Sequence, residues 1–195
     1  NASQAGTNDV DKGPVRPAAV AGKFYPADPQ VLAEVVDKML GNAVVAPFAD
    51  DAVAFMTPHA GYIYSAQTAA HVYKALAGKP VKTVILIGNS HNFPLAKGAV
   101  YVRGSFATPL GDVPINETLA AKIIAGTPLL ESNPDAHAPE HSLEVQLPFL
   151  QRVLKEFQIV PILLGNQSMD QCRAIGEGIA DAVKALGLER ETVIV

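Results

Sequence analysis

Cysteine is nearly absent from this sequence, in which Cys172 has no second cysteine to pair with. An intramolecular disulfide and a zinc site built from paired cysteines are therefore both excluded. This usage is typical of a reducing compartment, so we expect a cytoplasmic protein. A periplasmic location is the alternative if a signal peptide was removed ahead of Asn1.

An excess of positive charge is also lacking. The formal net charge is -4, and no cluster of lysine and arginine occurs along the chain. These features argue against a nucleic-acid partner. No apolar run reaches the ~20 residues that a membrane-spanning helix needs. Glycine-rich phosphate-binding motifs are missing as well, and residues 88–92 are not a nucleophile elbow because Asn92 stands where glycine is required.

What the sequence does contain is enough apolar material for one well-packed domain. Hydrophobic residues make up 49% and charged residues 17% of the chain, which excludes wholesale disorder. Residues 1–14 are polar and unpatterned, and we expect them to form a disordered leader. The folded domain is then expected over residues 15–195.

Hydrophobic periodicity predicts alternating strands and helices. The first part of the domain reads as a helix at 28–41, a buried strand at 52–56, a helix at 65–76 and a β-branched strand at 81–87. This succession is a βαβ unit, so we predict an α/β fold with a mostly parallel central sheet flanked by helices.

The second half of the chain shows the same alternation. The predicted strands are 99–102, 159–164 and 192–195, a loop or hairpin spans 105–114, and the predicted helices are 116–124, 142–153 (bent at Pro148) and 169–187. A sheet that stops on a buried strand predicts a domain cut short at its C-terminal end.

Two histidines follow predicted core strands. His59 comes after strand 52–56, and His91 comes after strand 81–87. Ligands bind beyond the carboxyl ends of parallel strands, and neutral imidazole is a common metal ligand. Either residue alone is as readily a helix cap or a hydrogen-bonded loop residue. Their equivalent positions favour a shared metal site.

A third histidine, His141, lies between Glu140 and Glu144. Neighbouring carboxylates favour the protonated imidazole, which suits general acid/base catalysis near neutral pH. The alternative is an ordinary helix start at Ser142 with a solvated His141. Two further histidines, His71 in a helix and His137 in a proline-rich loop, are weaker candidates.

Four segments together resemble the Memo family. They are residues 15–26 (VRPAAVAGKFYP), 58–62 (PHAGY), 88–91 (GNSH) and 140–148 (EHSLEVQLP), and they occur in the family's order. The resemblance implies a fold shared with the class III extradiol dioxygenases, which are non-haem Fe(II) enzymes that cleave aromatic rings.

The resemblance also implies roles for individual residues. His59 and His91 would bind the metal, with Fe(II) expected and zinc as the alternative, and His141 would be the catalytic acid/base. We expect Tyr62, Ser90 and Glu144 to line the substrate pocket. The third ligand is a cysteine in Memo proteins and a glutamate in the dioxygenases, from a segment beyond the strand that begins near Val193. Cys172 does not match that segment.

Three functions are consistent with these residues. The first is a metal-dependent oxidoreductase of dioxygenase type acting on a small molecule. The second is a non-catalytic module that binds a peptide or protein in the same cleft. The third, a zinc hydrolase, is less favoured because the acidic residues of a second metal site are missing. The resemblance further implies a radical-SAM protein as a pathway partner, since related bacterial proteins are grouped with one by name.

Overall fold

The computed structural model describes residues 13–45 and 52–195 of the chain. Nearly all of the predicted leader, residues 1–14, lies outside these ranges, so the leader stays a prediction. Among the described residues, no helix is both long enough and apolar enough to cross a membrane.

Strands and helices alternate along the described chain, and their numbers follow chain order. The strands are β1 (Val15–Arg16), β2 (Thr83–Asn89), β3 (Gly98–Val100), β4 (Ser105–Thr108), β5 (Gly111–Pro114), β6 (Leu130–Ser132), β7 (Gln158–Leu164) and β8 (Thr192–Ile194). The helices are α1 (Pro29–Asn42), α2 (Tyr62–Leu76), α3 (Glu117–Gly126), α4 (Pro134–His137), α5 (Leu147–Val153) and α6 (Met169–Ala185), with a 3₁₀ turn at Glu144–Gln146.

A five-stranded sheet with the order β6-β3-β7-β2-β8 forms the centre of the fold. Its middle strands β2 and β7 pair in parallel over their full length, from Thr83 opposite Gln158 to Asn89 opposite Leu164. Both strands are rich in β-branched residues whose side chains are almost entirely buried, as expected for a sheet covered on both faces. A second sheet of three strands has the order β1-β4-β5.

The α/β class is confirmed, but the sheets are mixed rather than mostly parallel. Strand β3 runs antiparallel to β7, with Ala99 opposite Leu163, and β4 runs antiparallel to β5. The connection from β2 to β3, residues 90–97, contains no helix. Because a parallel return needs a crossover of about a dozen residues or more, this shorter connection brings the chain back in the opposite direction.

The predicted buried strand at residues 52–56 is wrong. Only Ala54 pairs, in a single parallel bridge to Ile194 at the outer side of β8. Val53 is 66% exposed and Met56 is 93% exposed. A short apolar run does not distinguish a central strand from a segment beside an edge strand, because periodicity carries no information about neighbours. His59 therefore follows an edge segment and not a core strand.

The helices fall close to their predicted positions, with two informative differences. Helix α1 is capped by Asp28, whose carboxylate accepts the backbone N–H groups of Gln30 and Val31. Helix α2 begins at Tyr62, three residues before its predicted start, because Gly61 is its N-cap. The predicted helix 142–153 consists of the 3₁₀ turn and α5. Pro148 lies in the first turn of α5, a position where the missing N–H of proline costs little.

Candidate metal centre

His91 is positioned by the end of β2. The strand ends at Asn89, whose carbonyl accepts the hydroxyl of Ser142 at 3.0 Å. A Cβ at Gly88 would lie 2.6 Å from the Leu143 side chain and 2.7 Å from the Ser142 hydroxyl. Glycine is therefore required for this close approach, which brings the loop carrying His91 against the segment carrying His141.

His59 is positioned by a buried amide. The side-chain carbonyl of Gln146 accepts the hydroxyls of Thr57 at 2.9 Å and Tyr73 at 2.5 Å. Its NH₂ group donates to the carbonyls of Pro58 and Ser142 at 3.3 and 3.2 Å. Gln146 thus connects the segment before His59 to the segment after His141, although these lie far apart in the sequence.

The three candidate histidines converge in space. The ring centroids of His91 and His141 lie 4.7 Å apart, those of His59 and His91 5.3 Å, and those of His59 and His141 6.0 Å. The edge of Phe24 packs against the His141 ring at 4.8 Å. The structure therefore brings together all three histidines that the sequence selected.

Glu140 lies beneath this cluster, and its side chain is only 2% exposed. Its Oε2 accepts the backbone N–H of His91 at 2.6 Å. Its Oε1 lies 2.9 Å from His91 Nδ1 and accepts the backbone N–H groups of His141 and Ser142 at 2.8 and 2.9 Å. Burial alone would raise the pKa of this carboxyl, but the hydrogen bonds outweigh burial and lower its pKa to about 2. Glu140 is therefore ionised at neutral pH.

The imidazoles of His59 and His141 are held neutral. Burial, and next the charge of His91, lower the pKa of His59. Burial also lowers the pKa of His141 and outweighs the opposite effect of Glu140. The sequence predicted that carboxylates favour the protonated form of His141, and burial reverses that direction. A neutral imidazole has the free lone pair that a metal or a proton requires.

Potential metal ligands are concentrated at this one place among the described residues. The ligand atoms of His91, Glu140 and His141 lie within 4.8 Å of one another, and the ring of His59 adjoins this group. A cavity of about 210 Å³ opens beside His59 and is lined in part by Phe55, Met56 and Gln146.

Glu144 lies in a different environment from the histidines. Its carboxylate is fully buried and accepts Arg16 Nη1 at 2.6 Å and the Tyr25 hydroxyl at 2.6 Å. It also accepts the backbone N–H groups of Ala19 and Val20 at 2.8 and 3.0 Å. All of these contacts join Glu144 to the N-terminal segment.

The two other expected pocket residues also use their hydroxyls within the fold. Tyr62 is buried and donates to the carbonyl of Val145 at 2.8 Å. Ser90 donates to the carbonyl of Phe93 at 2.6 Å. For these two residues and Glu144, contact with a substrate remains a prediction.

The sequence did not assign roles to Arg16, Phe24 or Gln146. Arg16 is buried, and besides Glu144 it donates to the carbonyls of His137 and Glu140. An arginine two residues into a folded domain has no local pattern that indicates burial. Arg16 and Phe24 both belong to the N-terminal motif, and this membership was the one sequence signal that could have indicated a role for them.

The two weaker histidines bond to the backbone away from the cluster. His137 is buried, and its Nε2 lies 3.1 Å from the carbonyl of Ala99. His71 is exposed on α2 and bonds to the backbone of Val44 through Nδ1. Cys172 is exposed on α6.

The cluster therefore offers up to three imidazole nitrogen ligands beside an ionised carboxylate. Imidazole suits zinc, copper, iron and nickel among the transition metals. A His141 that is not used as a ligand can accept and return a proton.

A family model described as "Memo-like protein" matches residues 16–195. A MEMO1 family protein of Methanopyrus kandleri is 37% identical over 190 residues, covering 92% of this chain and 66% of the relative. One from Pyrococcus abyssi is 36% identical, covering 93% of this chain and 63% of the relative. One from Ignicoccus hospitalis is 39% identical, covering 89% of this chain and 64% of the relative.

This chain thus spans slightly less than two thirds of the length of these relatives. The match nevertheless extends over the N-terminal motif, all three histidines of the cluster and every element of both sheets except the first residue of β1. The chain belongs to the Memo family.

Proposed function

We propose that this protein binds one divalent transition metal at His59 and His91, with iron expected and zinc as the alternative, and that His141 is the acid/base of a redox reaction of dioxygenase type. The observation that carries the proposal is the convergence of the three imidazole rings at centroid distances of 4.7, 5.3 and 6.0 Å. The substrate would be a small molecule bound in the adjoining cleft.

The residues present fit such a metal. Two imidazoles that bind one metal in tetrahedral geometry, each at a metal–nitrogen distance of about 2.0–2.1 Å, have ring centres about 5 Å apart. The observed spacings lie around this value, and the lowered pKa values of His59 and His141 keep their lone pairs available at neutral pH. In Memo proteins, the resemblance implies, a cysteine from a later segment completes the ligand set.

Each residue has a separate part in the proposed chemistry. When bound, iron would supply one-electron reactivity toward oxygen. His141 would take a proton from the substrate and return it, which its neutral state permits. Phe24, packed on the His141 ring at 4.8 Å, would keep water from one side of that imidazole.

The experiment is anaerobic reconstitution of the purified chain with Fe(II), followed by metal analysis. We expect the unaltered chain to bind iron, and an affinity lower by more than about 100-fold in His59→Ala and His91→Ala because each removes a nitrogen ligand. His71→Ala, which alters an exposed histidine outside the cluster, is the matched control. Equal iron content in all four proteins would refute the proposal.

One observation favours a second function, the non-catalytic binding module. Met56, Ile63 and Tyr64 are 93%, 85% and 83% exposed on either side of His59 in the sequence. Exposed apolar side chains beside a cleft are typical of a surface that binds a peptide or protein. A partner whose binding survives in the His59→Ala/His91→Ala double variant and is lost in Ile63→Ser/Tyr64→Ser would support this function.

A further inference from the structure

We infer that Glu140 is a positioning residue, which fixes His91 in the tautomer with the proton on Nδ1 and so directs the Nε2 lone pair to the metal. This inference rests on the proposed metal site and adds to it the residue that orients one of its ligands. Glu140 itself is not assigned as a ligand.

The carboxylate of Glu140 is largely taken up by hydrogen bonds within the protein, above all at Oε1. Four N–H groups already point at its two oxygens, three of them from the backbone of His91, His141 and Ser142. The fourth contact is His91 Nδ1 at 2.9 Å. A metal bound to Oε1 would have to displace buried hydrogen bonds, each of which is costly to leave unmade.

The direction of the His91 hydrogen bond follows from the chemistry of its partners. An ionised carboxylate only accepts hydrogen bonds, so the shared proton belongs to Nδ1. In a neutral imidazole the other nitrogen, Nε2, then carries the lone pair. Metal-binding histidines commonly donate their second N–H to a carboxylate in this way, which orients the ring and raises its basicity.

The carboxylate of Glu140 contacts the two neighbouring imidazoles at different distances. The Nδ1 of His141 lies 3.3 Å from Oε1, whereas that of His91 lies at 2.9 Å. Oε1 already accepts two backbone N–H groups, so little capacity is left for the longer contact. His91 is therefore held as a fixed ligand, and the ring of His141 remains able to exchange its proton.

The first test needs neither a variant nor a metal. Long-range ¹H–¹⁵N spectra of the ¹⁵N-labelled, chelator-treated chain at neutral pH report the tautomer of each histidine. We expect Nδ1–H at His91. His137 is the internal reference and should show Nε2–H, because its Nε2 bonds to the carbonyl of Ala99. Nε2–H at His91 in this spectrum would overturn the inference.

The second test is Glu140→Gln. A neutral glutamine must turn its NH₂ group toward at least one of the N–H groups that the carboxylate accepts, so its hold on His91 through the backbone N–H and Nδ1–H should weaken. We expect the affinity for Zn²⁺, measured by competition with a chelating dye, to fall about 10–100-fold. Glu177→Gln, which alters an exposed glutamate on α6, should bind Zn²⁺ as the unaltered chain does.

The outcomes separate this inference from the proposed function. If the unaltered chain has His91 as Nδ1–H but binds neither iron nor Zn²⁺, the proposed function fails and the tautomer assignment stands. If Zn²⁺ binds at His59 and His91 with equal affinity in a folded Glu140→Gln variant, the inference fails and the metal site stands. If Glu140→Gln does not fold, the spectrum of the unaltered chain still decides the tautomer.

Discussion

Glu140 and Glu144 are four residues apart and both are buried, but they serve different parts of the molecule. Glu140 holds the loops that carry His91 and His141. Glu144 accepts Arg16, Tyr25 and two backbone N–H groups of the N-terminal segment. The sequence placed both beside His141 and assigned only Glu144 to the substrate pocket; it could not show which of the two faces the histidines, because the direction of a side chain depends on its partners and not on its spacing.

The proposed acid/base role of His141 leads to a prediction at this scale. His141→Gln removes the group that moves the proton and leaves His59 and His91 in place. We expect unchanged iron content and, with catechol as a probe compound, an oxygen consumption rate lower by about 10²–10⁴-fold, measured with an oxygen electrode. Loss of iron would instead identify His141 as a ligand, and an unchanged rate would exclude the acid/base role.

The buried ion pair of Arg16 and Glu144 leads to a second prediction, on stability. Their side chains are 2% and 0% exposed, so Arg16→Ala leaves a buried carboxylate without its cation. We expect the free energy of unfolding to fall by about 3–5 kcal/mol, measured by urea denaturation. The matched control is Arg152→Ala, which breaks a solvent-exposed pair with Asp37 and should cost less than about 1 kcal/mol. Equal losses in the two variants would contradict a buried, uncompensated charge as the cause.

At the scale of elements, the site depends on two chain segments that meet closely. The end of β2 presses against residues 142–143, and Gly88 leaves no space for a side chain there. Gln146 in the 3₁₀ turn holds the segment that carries His59. Neither strand nor helix supplies the histidines directly; the loops between elements do, as is usual for functional residues.

Gly88→Ala tests this arrangement. Its Cβ would lie 2.6 Å from Leu143, so β2 and the 142–143 segment must separate. We expect the free energy of unfolding to fall by about 1–3 kcal/mol and the affinity for Zn²⁺ to weaken as well. Gly176→Ala is the control, since nothing lies within 4 Å of its Cβ; in the middle of α6 it should stabilise the chain by up to about 1 kcal/mol.

At the scale of the whole molecule, the mixed sheets could not be foreseen from strand patterns alone. The strands β2 and β7 and most helices were predicted from periodicity within a few residues. Strand β6 and helix α4 were missed because each is too short to show a period. The direction of β3 depended on the length and content of its connection, and the pairing at Ala54 depended on β8, 140 residues away.

His137 sets a pH dependence of overall stability. Burial lowers its pKa to about 4, whereas an unfolded histidine titrates near 6.5. Between these values the unfolded chain binds a proton that the folded chain does not, so stability falls as the pH drops from about 6.5 to about 4. The full loss from this residue is about 3 kcal/mol.

Comparing the chain with His137→Gln isolates this contribution, since His59 and His141 also have lowered pKa values and act in the same direction. Urea denaturation between pH 7 and pH 4 should show a smaller loss of stability in the variant, which keeps an amide N–H for the carbonyl of Ala99. Parallel curves for the two proteins would contradict the assignment.

The sequence by itself determined the α/β class, the family, the positions of most elements and the choice of His59, His91 and His141. These follow from local patterns and motifs, which are properties of neighbouring residues. The tertiary structure alone decided that Glu140 faces the histidines, that Glu144 pairs with Arg16 across 128 residues, and that burial keeps His141 neutral. Contacts between distant segments fix these features, and no local pattern in a single sequence records them.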